Sequence, residues 1–223
     1  MTDLEHALSG LSTAEKTTTI GDTEFAVTGF GMLRQLHPRP FTYDRIYLDN
    51  QSTNLEMSYL RLGYLLAHVP YDQLRASRVL ELGPGRGVFF DVLKSHVEQM
   101  RGYDVVQESP YATIPWSQAA ECEWDLVCGF DVLEHFEDID RLWELDFQWG
   151  YFSIPAPPAQ GVHPRWRHFK PDEHLWHITA EQFEQWASAH GYRLIAVGCP
   201  EDCLRARWDK SAVNIQSFII QRN

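Results

Sequence analysis

Residues 78–87 read RVLELGPGRG and 88–100 continue VFFDVLKSHVEQM. The opening RVLEL is an apolar run of strand length, and the segment after the glycines carries apolar residues at helical spacing, so the stretch predicts strand, tight turn and helix. Gly83, Gly85 and Gly87 fill the turn. Lacking Cβ atoms, they let the backbone bend sharply and approach a ligand closely, and the helix start beyond them offers N–H groups without intrahelical partners. The dinucleotide fingerprint GxGxxG sets its third glycine three places after the second, whereas here Gly87 follows Gly85 by two and Val88 comes next. That spacing counts against a nicotinamide cofactor.

Outward from this turn, short apolar runs alternate with helical ones. RGYDVV (101–106) and WDLVCGF (124–130) read as strands and DVLEHFEDIDRLWEL (131–145) as a helix. Next come WGYFSIP (149–155) as a strand cut by Pro155, TAEQFEQWASAHG (179–191) as a helix, and YRLIAVG (192–198) and SAVNIQSFIIQ (211–221) as strands. Such alternation predicts an α/β fold with a mostly parallel sheet covered by crossover helices. Toward the N-terminus, two β-prone runs flank Gly21-Asp22 within residues 17–28, a hairpin signal. Thr53 and Glu56 form a capping-box pattern before LEMSYLRLGYLLAHV (55–69), in which Leu55, Tyr59, Leu62, Leu66 and Val69 recur at helical spacing. Residues 1–70 therefore read as an extension or cap, and 71–223 as the core domain. The extension is a candidate substrate lid or homodimer contact.

Glu81 stands two places before the first glycine, a position that suits a cofactor carrying an ammonium and a sulfonium and would repel a pyrophosphate. Asp104 closes the next strand, near the separation at which nucleotide-binding folds place the acid that accepts ribose hydroxyls. Together, ExGxGxG at 81–87 and the acid of RGYDVV resemble the first two motifs of the class I, Rossmann-like S-adenosylmethionine-dependent methyltransferases, small-molecule type. The resemblance covers residues 78–222. It implies the class I sheet with an antiparallel final strand, S-adenosylmethionine as cofactor, and cofactor contacts from Glu81, Gly83, Pro84, Gly85, Gly87, Asp104 and Val105. From the fourth strand and the turn beyond it, it adds Phe130, Asp131 and Leu133. The sequence departs from the family at 108–123, ESPYATIPWSQAAECE, which is too short and Pro-interrupted for the usual helix and third strand, leaving Ile114 and Trp116 as adenine-wall candidates.

Asp131, Glu134 and His135 follow the fourth strand closely enough to face a transferred methyl, although Asp131 as a helix N-cap with Glu134 completing a capping box is an equal local reading. Residues 155–179, PAPPAQGVHPRWRHFKPDEHLWHIT, concentrate His163, His168, His174 and His177 among tryptophans in a loop where α/β proteins set specificity. The expectation is that His174 or His177 acts as general base, with His135 behind them. His174 and His177 beside Asp172 and Glu173 raise a metal reading, but no HExxH or Cys/His grid accompanies them, so no metal is expected. Arg165, Arg167 and Lys170 make the loop locally basic, which fits either an anionic small substrate or a solvated face.

Nineteen Lys plus Arg against 31 Asp plus Glu give a formal net charge of −12, the wrong sign for gripping nucleic acid. The methyltransferases that modify DNA bases carry Asn/Asp-Pro-Pro-aromatic after the fourth strand, where this chain has GFDVLEH. The acidic N-terminus and the absence of any long apolar run point to a cytoplasmic, non-membrane protein. Four cysteines without CxxC spacing read as reduced thiols. The expected activity is methyl transfer to O, N or C of a small-molecule acceptor. A protein acceptor, a non-catalytic S-adenosylmethionine-binding partner subunit and a nicotinamide oxidoreductase are the alternatives.

Overall fold

The computed structural model describes residues 16–42, 55–106, 108–205 and 213–223. The fold is mixed α/β. Strands β4 (Arg78–Leu82), β5 (Gln99–Tyr103), β6 (Glu123–Phe130), β7 (Asp146–Pro155), β9 (Tyr192–Gly198) and β10 (Ile215–Arg222) form a six-stranded sheet in the order β5-β4-β6-β7-β10-β9. β4 pairs in parallel with both β5 and β6, and β6 with β7, whereas β10 runs antiparallel to both of its neighbours. The expected antiparallel final strand is therefore present. No strand lies between β5 and β6 among the described residues, because Pro110 and Pro115 confine that stretch to turns and the short helix α4 (Trp116–Ala120).

Side chains alternate between the two faces of the sheet. In β4, Val79 joins one apolar cluster with α1 (Leu55–His68), α2 (Tyr71–Arg75) and α3 (Val88–Leu93). Leu80 and Leu82 join the other, with α5 (Ala180–Ala189) and the turns after β6. The buried face of α1 is Ser58, Leu62 and Leu65, continuing to Val69; Leu55, Tyr59 and Leu66 are exposed, which corrects the stripe read from spacing. Thr53 of the predicted capping box lies outside the described residues.

A second sheet, β1-β2-β3-β8, contains the expected hairpin β1 (Lys16–Ile20) and β2 (Thr23–Val27), then β3 (Leu33–Gln35) and β8 (Trp176–His177). The histidine-rich loop thus contributes a strand to the N-terminal sheet, pairing Leu33 with His177 and Arg34 with Trp176.

Of the predicted helices, one is shorter than the sequence indicated and one is replaced by 3₁₀ turns. α3 stops at Leu93, and Gln99 already begins β5, where Met100 and Gly102 alternate inward. Residues 131–145 form no α-helix but two 3₁₀ segments, Leu133–His135 and Ile139–Glu144, separated by extended backbone at Phe136 and Asp138. Tertiary contacts claim the carbonyls that a helix would use. Glu134 O accepts from Leu175 N at 2.7 Å, and Phe136 O accepts from the Trp176 indole at 2.7 Å. Among the described residues no helix is long and apolar enough to cross a membrane, and no disulfide joins Cys122, Cys128, Cys199 or Cys203.

Candidate active site

The carboxyl ends of β4, β5 and β6 meet over two adjoining clefts, as expected where a parallel sheet presents its loops. The first, about 420 Å³, is lined by Gly83, Tyr103, Asp104, Val105, Trp116, Asp131, His135, Phe136 and Arg141 among others. The second, about 430 Å³, is lined by Arg61, Glu81, Gly83, Pro84, Gly87, Phe130, Asp131 and Arg205 among others. Gly83 and Asp131 border both.

The glycine turn is held by specific contacts. Gly83, Gly85 and Gly87 all have positive φ (61°, 55° and 72°), a region that L side chains disfavour. A Cβ on Gly87 would lie 2.2 Å from the Tyr111 ring, which is anchored by its hydroxyl donating to Asp91 at 2.6 Å. Asp104 fastens the turn to β5, its carboxylate accepting from Gly85 N and from Val106 N, both at 2.9 Å. Burial raises the pKa of Asp104, opposed by these N–H donors. Gly85 itself lines neither cleft; its peptide is occupied by Asp104 and by the Ser109 hydroxyl, which donates to Gly85 O at 2.8 Å.

Glu81 is buried, with one carboxylate oxygen unpartnered. Burial pushes its pKa up to about 8, against the pull of Arg61 and with a further push from Asp104. Across the second cleft, Arg61 donates to Glu201 at 2.6 Å, while Arg205 donates to Glu201 at 2.7 Å and to Asp131 at 2.5 Å. Glu201 is fully buried. Asp131, at φ 53°, does not cap a helix; burial would raise its pKa, but Arg205 and Arg61 outweigh that and hold it low. The site therefore sets the buried Glu81 and Glu201 beside the half-buried Arg61, Arg205 and Asp131.

Aromatic rings wall the first cleft. Tyr103 and Trp116 meet edge to face at 5.0 Å, Trp116 and Phe136 at 6.1 Å, and the Arg141 guanidinium lies 4.6 Å from the Trp116 ring. Trp116 is thus at the cleft, whereas Ile114 is packed in the core. Leu133 also lies in the core and lines neither cleft, because the 3₁₀ turn directs it inward.

The three histidines divide. His135 borders the first cleft. His174 lies behind it, its ring meeting that of His135 edge-on at 4.9 Å, and burial together with His135 drives its pKa down to about 2. His177 is carried by β8 into an aromatic nest of Phe25, Trp166 and Phe169, and burial lowers its pKa to about 4. It faces a separate groove with Leu33 and Thr179, away from the glycine turn. Arg61, Arg205 and Glu201 had drawn no attention in the sequence. Arg61 carried no sequence signal, because the buried face it lies on, Ser58, Leu62 and Leu65, is set by packing.

The chain belongs to the methyltransferase-domain family, whose model matches residues 58–197. It is an S-adenosylmethionine-dependent methyltransferase by membership of that family. No curated protein matches it. Among solved structures it is similar in fold to the magnesium protoporphyrin IX methyltransferase of Synechocystis PCC 6803 with bound S-adenosylhomocysteine. That match has 15% identity and TM-score 0.53, covering 83% of this chain and 90% of that one. An S-adenosylmethionine-dependent methyltransferase from Mesorhizobium loti matches at 17% identity and TM-score 0.53, covering 78% and 100%. The Haloferax volcanii complex of a methyltransferase with the Trm112 methyltransferase activator matches at 10% identity and TM-score 0.61, covering 82% and 99%.

Proposed function

We propose that the protein transfers a methyl group to an O, N or C atom of a small-molecule acceptor, with the two clefts dividing the cofactor between them. When bound, S-adenosylmethionine supplies an electrophilic methyl on a sulfonium. The chain's residues supply binding and orientation, from which most of the acceleration of an in-line displacement derives. In the first cleft, Asp104 accepts from the ribose hydroxyls, and Tyr103, Trp116 and Phe136 enclose the adenine. In the second, Glu81 and Asp131 face an ammonium while Arg61 and Arg205 face a carboxylate.

The observation that carries this reading is the second cleft itself, where unpartnered Glu81 Oε2 and a pair of arginines lie beside the glycine turn. A zwitterionic amino-acid end matches both signs, its ammonium drawing the proton off Glu81, a gain that a pyrophosphate does not offer. The acidic chain counts against nucleic acid and other polyanions as the acceptor.

The test is transfer of labelled methyl from S-adenosylmethionine into a cell extract divided into small-molecule and macromolecular fractions. Label in the small-molecule fraction with wild type, and at least about tenfold less with Asp104→Ala, is expected, a factor equivalent to about 1.4 kcal/mol. Label confined to macromolecules would transfer the reading to a protein acceptor. Cofactor binding without any transfer would favour a non-catalytic partner subunit.

A further inference from the structure

We propose that Glu134, His135 and His174 form a binding site for a first-row transition-metal dication at the inner wall of the first cleft. One ligand atom from each residue can be chosen so that all lie within 4.8 Å of one another, close enough for a common cation to draw them in. The donors come from the 3₁₀ turn after β6 and from the histidine-rich loop. Their meeting is fixed by backbone, since Leu175 N donates to Glu134 O at 2.7 Å.

The hydrogen bonding of the two imidazoles sets their lone pairs. His135 Nδ1 lies 2.7 Å from the carbonyl of Glu173, and His174 Nδ1 lies 2.9 Å from the carbonyl of His168. A carbonyl can only accept, so each Nδ1 carries the proton and each neutral ring keeps its lone pair on Nε2. Backbone carbonyls on the distal ring nitrogen are the usual outer support of metal-ligating histidines. The Nε2 of His135 lies 3.9 Å from a Glu134 oxygen.

Glu134 is the independent observation. Its side chain is 2% exposed, yet neither carboxylate oxygen has a hydrogen-bond partner. A buried carboxylate without a hydrogen-bond partner is costly, and the neighbouring His135 Nε2 offers it a lone pair rather than a proton. A cation would neutralise that carboxylate while coordinating the two Nε2 lone pairs. The other charged side chains nearby are already engaged, Glu173 by Lys170 at 3.0 Å and Asp131 by Arg205.

Two imidazole nitrogens and one carboxylate are the donor set of catalytic zinc and of non-haem iron sites, which leave a position for an exogenous ligand; magnesium prefers oxygen alone. His135 borders the cleft, so the remaining position faces it, and the ligand class predicted there is an acceptor with an oxygen donor, held and made more acidic by the cation. This last consequence rests on the methyl-transfer reading; the metal site does not.

The experiment is equilibrium dialysis of the full chain, first stripped with chelator, against Zn²⁺, with Mg²⁺ in parallel. Stoichiometric Zn²⁺ with much weaker Mg²⁺ is expected, as is at least about tenfold weaker Zn²⁺ binding in Glu134→Gln and in His174→Ala, with no change in His37→Ala. Circular dichroism of each variant checks folding. The Co²⁺ spectrum of the unsubstituted protein gives a second readout, expected to show d–d bands without thiolate charge transfer. Absence of stoichiometric Zn²⁺, undiminished binding in both folded variants, or a thiolate band would overturn the proposal. Methyl transfer is assayed separately, so a missing metal and a missing activity are distinguishable.

Discussion

Glu81 is where the chemistry of the site presses hardest on a single residue. Its pKa rises on folding from 4.5 to about 8, chiefly because burial disfavours the charged form. Between those values the native protein holds a proton that the unfolded chain has released. The stability linked to Glu81 is therefore full below the unfolded value and lost as pH rises through the folded one. Above about pH 6.5, where the buried histidines His168, His174 and His177 no longer add an opposing slope, the ligand-free protein is expected to melt at progressively lower temperature up to about pH 8. Glu81→Gln should flatten that fall, without abolishing it because Glu134 titrates in the same direction. Scanning calorimetry across the interval, giving equal slopes for wild type and variant, would exclude this account. The glycines share the residue scale. Gly87 is required twice over, by its φ of 72° and by the Tyr111 ring packed where a Cβ would sit.

Among the elements, α5 shows local and tertiary signals in agreement. Thr179 Oγ1 accepts from Gln182 N at 3.3 Å, and Gln182 Oε1 accepts from Thr179 N at 2.9 Å, a capping box that starts the helix where its sequence indicates. Thr179→Ala is expected to cost about 1 kcal/mol in urea denaturation with an unchanged denaturant slope. Gln182 does more than cap, since its amide donates to Gly31 O at 2.7 Å and ties α5 to the small sheet. Gln182→Ala should therefore cost more than Thr179→Ala, and an equal or smaller cost would show that this tie contributes nothing. The segment after β6 is the contrasting element. Its helical pattern is real in sequence, but loop donors take its carbonyls and leave two 3₁₀ turns.

At the scale of the molecule, ion pairs join distant segments with very different worth. Arg61 of α1 and Arg205 both grip Glu201, which is wholly buried, and Arg61 stacks over Phe130 at 4.2 Å. Arg61→Ala leaves a buried carboxylate short of one partner, so a loss of about 3 kcal/mol is expected. Arg39 also spans a long separation, reaching Asp172 at 2.7 Å, but its side chain is 86% exposed. Arg39→Ala should cost under about 1 kcal/mol, and less at high salt. Denaturant titration of both variants at low and high salt checks the ordering, and comparable losses would contradict it.

The signals read directly from the sequence were those carried by neighbours along the chain. RVLELGPGRG specified a strand, a positive-φ turn and a helix start because the need for glycine is local, and Asp104 followed because the next parallel strand ends beside that turn. The hairpin at Gly21-Asp22 and the helix from Thr179 were legible for the same reason. What the chain could not disclose is whatever depends on segments far apart in sequence. Burial orientation of α1 was set by packing, so Leu55 and Tyr59 face solvent while Ser58 and Arg61 turn inward. Likewise His177 was drawn into a strand of the small sheet, whereas His174 was brought to Glu134 and His135. The two histidines stand three positions apart, and nothing in that interval distinguishes them; the backbone bond from Leu175 to Glu134 does, by fixing which one faces the turn after β6.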